Sequence, residues 1–75
     1  MRGSMAIKNF DNTKLKEMLE NSGQRVKFVA DKIGVSKYTL YGYLNGYASP
    51  SLPVAMLLAQ HFNCEIEDFQ ASKAA

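Results

Sequence analysis

Apolar side chains return along this chain at intervals of three and four, never at a sustained interval of two, so the pattern predicts helices and no sheet. Leu15, Met18, Leu19 and Ser22 fall on one helical face over Thr13 to Ser22, with Asp11, Asn12 and Thr13 as candidate N-caps and Gly23 as the stop. Val26, Val29, Ala30 and Ile33 mark a second helix that ends at Gly34. Ser36 is a good N-cap for a third helix, Lys37 to Leu44, with Leu40, Tyr43 and Leu44 inward and Asn45-Gly46 as the stop. Tyr47 to Pro50 reads as a loop, and Ser51 caps a fourth helix that tolerates Pro53 in its first turn. Its predicted buried face is Leu52, Ala55, Leu58, Ala59 and Phe62. Asn63 supplies a left-handed cap, Cys64 points back to the core, Glu65 to Phe69 forms a last short turn or helix, and residues after Gln70 fray.

Length and composition narrow the function. The chain has 75 residues, of which 47% are hydrophobic and 21% charged. A domain of that size buries only about 60% of the surface its unfolded chain exposes, so it needs a staple or a well-packed core. Cys64 is the single cysteine and His61 the single histidine, which excludes an internal disulfide and a four-ligand zinc set. Apolar packing must stabilise the fold. Met1 to Ser4 reads as a vector-derived leader before a natural start at Met5, leaving residues 5–75 as one domain. No apolar run approaches the roughly 18 residues of a membrane span and no signal-peptide h-region is present, so a cytoplasmic protein is expected, near the nucleoid of a prokaryotic or phage-infected cell.

Charge is uneven. Residues 24–48 carry Arg25, Lys27, Lys32 and Lys37 against Asp31 alone, a balance of +3, whereas residues 60–75 carry Glu65, Glu67 and Asp68 against Lys73, a balance of −2. A basic middle suits a phosphate backbone and equally an ordinary solvated helix face. The segment Arg25 to Gly46 is the informative one. Two short helices joined at a glycine meet at a steep angle, and the second projects as a rod able to enter a major groove about 12 Å wide. Its outer side carries Lys37, Tyr38, Tyr41 and Asn45, with Gly42 leaving part of that side bare.

Val29-Ala30-Asp31-Lys32-Ile33-Gly34-Val35-Ser36, followed by Leu40 and Asn45-Gly46, resembles the Cro/CI-type (lambda-repressor-like, XRE) helix-turn-helix family. Pro50-Ser51-Leu52, Leu58-Ala59, Phe62, Cys64, Ile66 and Phe69 continue the likeness without a gap. The resemblance implies an all-α, compact bundle of four to five short helices that binds double-stranded DNA. It also implies base reading by Lys37 and Tyr38, with Tyr41 and Gly42 one turn later. Lysine can donate to guanine O6 and N7, and tyrosine can bond a base edge or press on a thymine methyl. Backbone phosphates would fall to Arg25 and Lys27 at the second helix's N-terminus, and to Ser36, Thr39, Asn45, Tyr47 and Ser49. The chain departs from the family at Val26, where a glutamine usually touches the backbone and braces the recognition helix, and in its uncharged loop Tyr47 to Ser49. Four basic residues per half of a dimer bound the log-log salt slope at about −7.

All four tyrosines lie within ten residues; Tyr43 is expected in the core, Tyr38 and Tyr41 at the DNA, and Tyr47 either at the DNA or simply on the surface. Phe28, Met56 and Leu57, with Ile66 and Phe69, offer a dimer or partner surface; the alternative is that they pack against Ile7 and Phe10. Cys64 reads as a small core hydrophobe, His61 as a surface residue of the fourth helix, and Glu65, Glu67 and Asp68 as complements to a helix dipole. No glycine-rich phosphate loop, Ser-His-Asp set or zinc motif is found, so neither an enzyme, a cofactor, a metal nor a small-molecule substrate is expected. The favoured function is a small dimeric repressor of phage or mobile-element type. The alternative is a protein-interaction module such as the antitoxin of a toxin–antitoxin pair.

Overall fold

The computed structural model describes residues 9–71. The proposed leader at Met1–Ser4, Ile7, and the residues beyond 71 lie outside them. Within them run four α-helices, α1 (Asn12–Ser22), α2 (Val26–Ile33), α3 (Lys37–Asn45) and α4 (Leu52–Phe62), and a closing 3-10 turn, Ile66–Phe69. The described residues hold no strand beyond an isolated antiparallel bridge between Phe10 and Gln70.

Short polar side chains start three of the four helices, α2 excepted, and left-handed residues end all four. Asp11 accepts from the Thr13 N–H, Ser36 from the Thr39 N–H and Ser51 from the Val54 N–H, each satisfying a first-turn donor. Because Asp11 is the cap, α1 begins at Asn12, one residue before the predicted start. Gly34 (φ 83°) adopts the left-handed conformation that lets the Gly34 and Val35 N–H groups both return to the Ala30 carbonyl. The turn between α2 and α3 therefore needs only three residues.

The core gathers Leu15 and Leu19 of α1, Val29, Ala30 and Ile33 of α2, Leu40, Tyr43 and Leu44 of α3, Ala55, Leu58 and Ala59 of α4, and Phe69. Ala30 and Ala55 are fully buried, and their small side chains let helix backbones approach closely. Burial raises the Tyr43 phenol above its ordinary value. The Cys64 thiol is raised too, by burial and then by Asp68 and Glu65, and its Sγ lies 3.7 Å from Met18 Sδ. A raised thiol holds less of the reactive thiolate, in keeping with a packing role against the core.

Four expectations change. Leu52 is 41% exposed, because the first side chain of a helix points back past the helix end; fully buried Pro50 fills the core there. His61 is half-buried, and its Nε2 donates to Gln24 Oε1 at 2.6 Å, tying α4 to the turn after α1. Phe69 is 0% exposed and so cannot belong to a partner surface: the 3-10 turn winds its ring inward while its carbonyl accepts the Asp11 N–H at 2.7 Å. Ile66 is half-buried against the same core. Ala71 does not fray, since its N–H donates to the Asn9 carbonyl at 2.7 Å.

The Asp11 cap carries a pH signature. Its carboxyl is held below the ordinary 3.8 by the Thr13 hydroxyl first and by the Thr13 N–H and Lys14 charge besides, against a desolvation push upward. A depressed carboxyl stabilises the fold above the unfolded value and loses that contribution as pH falls through the folded one. Thermal melts of the wild type and Asp11→Asn should therefore converge as pH drops below about 4 and separate above it; curves that run parallel throughout would show that the charge does not contribute.

Candidate nucleic-acid interface

α2, the turn at Gly34 and α3 form a helix-turn-helix whose second helix has one free side. Leu40, Tyr43 and Leu44 anchor α3 to the core, so Lys37, Tyr38, Tyr41 and Asn45 emerge opposite. Tyr38 is 75% exposed, and Lys37 Nζ stands 5.4 Å over its ring, a cation–π pair at the tip of the rod. No acidic side chain lies in the first turn of α3, so its uncapped N–H groups and Lys37 make this end electropositive.

The Ser36 hydroxyl caps α3 by accepting from the Thr39 N–H at 3.1 Å and donates to Thr39 Oγ1 at 3.0 Å. That leaves the Thr39 hydroxyl hydrogen free to donate outward. Arg25, exposed, occupies the N-cap of α2 without any side-chain cap bond, which leaves the first N–H groups of α2 uncapped and able to meet an anion. Ser49 and Tyr47 are exposed in the loop after α3.

Not all the basic residues stand free. Lys27 is paired with Asp31 at 3.1 Å, the one ion pair among the described residues, and both side chains are solvated. Lys32 Nζ lies 5.4 Å over the Phe28 ring, which in turn neighbours His61 of α4. Gly42 is half-buried instead of bare: its carbonyl accepts the Tyr47 and Ala48 N–H groups, which folds the loop against it. A Cβ there would meet only Ala48 Cβ, at 3.9 Å. Gly42→Ala is thus expected to stabilise the fold by about 0.5–1 kcal/mol through helix propensity, read as a higher urea midpoint at unchanged m-value.

Tyr41 and Asn45 do more than face outward. With Leu19, Val26 and Leu44 they line a groove of about 410 Å³ where the ends of α1 and α2 meet α3. α1 enters this surface through Lys16 and Glu20, which lie outside the segment 25–46 that carries the local helix-turn-helix signal. Phe28, Met56 and Leu57 are exposed, as expected from the register, and Phe10 packs against the core.

No cluster of three or more His, Cys, Asp or Glu able to hold a metal occurs among the described residues, nor a helix long and apolar enough to cross a membrane. A comparison with curated proteins returns no match. Against models of protein families, residues 15–69 match the helix-turn-helix family HTH_3, a span running from α1 through the closing 3-10 turn. That match covers most of the chain and coincides with the observed bundle, so the protein belongs to the XRE/Cro/CI-type helix-turn-helix family of DNA-binding regulators.

Proposed function

We propose that the protein is a sequence-specific regulator of transcription that binds double-stranded DNA as a homodimer, inserts α3 into the major groove and represses by occupying an operator, as a phage or mobile-element repressor would. The observation that carries this reading is the electropositive tip of α3, where Lys37 and the 75% exposed Tyr38 project together from a helix held rigidly by its other face. In this reading Lys37, Tyr38, Tyr41 and Gly42 face base pairs, while Arg25, Ser36, Thr39, Asn45, Tyr47 and Ser49 meet phosphates; Lys27, paired with Asp31, would meet one only by leaving that partner.

Dimerisation follows from specificity: one domain offering three or four base contacts discriminates weakly until it is doubled over a two-fold site. Phe28, Met56 and Leu57 supply exposed apolar surface for it, without Phe69. The test is selection of bound duplexes from a random pool of about 30 base pairs, with half-sites about one helical turn apart expected in the enriched sequences. Lys37→Ala and Tyr38→Ala should change which bases are enriched. No enrichment, or enrichment indifferent to both variants, would overturn direct readout by α3.

A second reading is favoured by the same apolar exposure, which a protein partner could cover, as in an antitoxin. The two separate cleanly. Truncating Lys37 and Tyr38 abolishes function in a DNA regulator and leaves partner binding intact in an interaction module.

A further inference from the structure

The last carbonyls of a helix have no partner within it, and where they find one decides how firmly that end is held. In α3 the Gly42 carbonyl takes the Tyr47 and Ala48 N–H groups and the Tyr43 carbonyl takes the Gly46 N–H, all from the following loop. The Leu44 carbonyl is different. It accepts Asn12 Nδ2 at 2.8 Å, from a residue 32 positions earlier in the chain.

Asn12 is itself fixed. It is the first residue of α1, its predecessor Asp11 caps that helix, and the Asp11 N–H donates to the Phe69 carbonyl at 2.7 Å. Phe69 is fully buried. The Asn12 amide also abuts Gly46, where an added Cβ would lie 3.4 Å from Asn12 Oδ1. A continuous path of short contacts therefore joins the core through α1 to the C-terminal end of α3. In the groove beside Tyr41 and Asn45, α2 contributes Val26, whose side chain has no polar group to offer α3.

We infer that Asn12 is a positioning residue for DNA recognition: its amide clamps the C-terminal end of α3 and so sets the angle at which Lys37 and Tyr38 meet the groove. The inference rests on α3 being the recognition helix. Asn12 touches no base; it acts through the helix it holds. A contact loose by a fraction of an ångström at one end of a rod is felt at the other, where discrimination depends on bidentate geometry.

Two variants test this. Asn12→Asp replaces the donor by an acceptor facing the Leu44 carbonyl while placing a favourable negative charge in the first turn of α1, so folding is protected. Asn12→Ala removes the donor without adding charge. Amide exchange of Tyr47 and Ala48 is read against the core amides of Leu58 and Ala59, and affinity is measured for the selected duplex and a scrambled one. In both variants exchange at Tyr47 and Ala48 should quicken relative to the core, and the selected-to-scrambled affinity ratio should fall about fivefold, the size of one hydrogen bond. In Asn12→Ala the salt slope should hold, because no phosphate contact is lost.

Unchanged exchange in both variants overturns the clamp, whatever DNA does. Quickened exchange with an unchanged affinity ratio overturns its role in recognition and leaves a purely structural bond. If the wild type itself prefers no duplex, the proposed function fails and this inference falls with it, a result seen before any variant is made.

Discussion

Replacing Phe69 by alanine is expected to cost about 3–5 kcal/mol, the range for deleting a buried aromatic ring, and so to remove most of the stability of the bundle. A chain of this length has about 4–11 kcal/mol to lose in all. Phe69 is 0% exposed and packs with Leu15 and Leu58 in a single core, and with one cysteine in the chain no internal disulfide compensates for its loss. Two further contacts go with it, since the turn that carries the ring also presents the carbonyl that fixes Asp11 and pairs Gln70 with Phe10. Urea unfolding should show the midpoint collapsing for Phe69→Ala, whereas Phe69→Leu, which keeps most of the volume, should lose less than about 1.5 kcal/mol. A fold that tolerates alanine and instead loses self-association would return Phe69 to a partner surface.

Lys37→Ala should weaken binding to the selected operator by about 1–3 kcal/mol per half-site and relax preference at the base it meets, the effect of losing one specific base contact. In a dimer the loss counts twice. Lys37 stands on an end of α3 that holds no acidic side chain, so nothing within that turn takes over its charge. Lys32→Ala is the matched control: its ammonium lies over Phe28 on the side of α2 that meets His61, and removing it should leave base preference unchanged. Salt dependence reads the same arrangement. With Lys27 already paired to Asp31 and Lys32 turned toward Phe28, Arg25 and Lys37 are the effective cations, and a dimer should show a log-log slope near −4 instead of the bound of about −7. A slope near −7 would mean that Lys27 leaves Asp31 for a phosphate and that Lys32 faces the DNA.

The helices were legible because their signals are local. Ser36 and Gly34 sit within a few residues of the donors and carbonyls they serve, so the turn between α2 and α3 could be placed from the sequence. The outward placement of Tyr38 and the burial of Tyr43 follow from 100° per residue with Leu40 inward. Leu52 misled because periodicity assigns a face without saying where the helix outruns its neighbours. Phe69 misled because a segment of four residues has too little period to show which way it faces. Gly42 was expected to be bare, and only the path of the loop, returning two N–H groups to its carbonyl, shows otherwise.

By itself, then, the sequence determined to within a residue where the helices begin and end, most of the apolar stripe of each, and that a lysine and a tyrosine share the exposed tip of the third, all consequences of contacts spanning four residues or fewer. Tertiary structure alone decided what those stripes meet and how α3 is held. The Asn12 amide on the Leu44 carbonyl, His61 on Gln24, and Phe69 sealed beneath α1 each join residues more than 30 positions apart. No local pattern encodes such pairs, because they exist only after loop closure has brought distant segments together and the packing of the core has chosen which side chains remain outside.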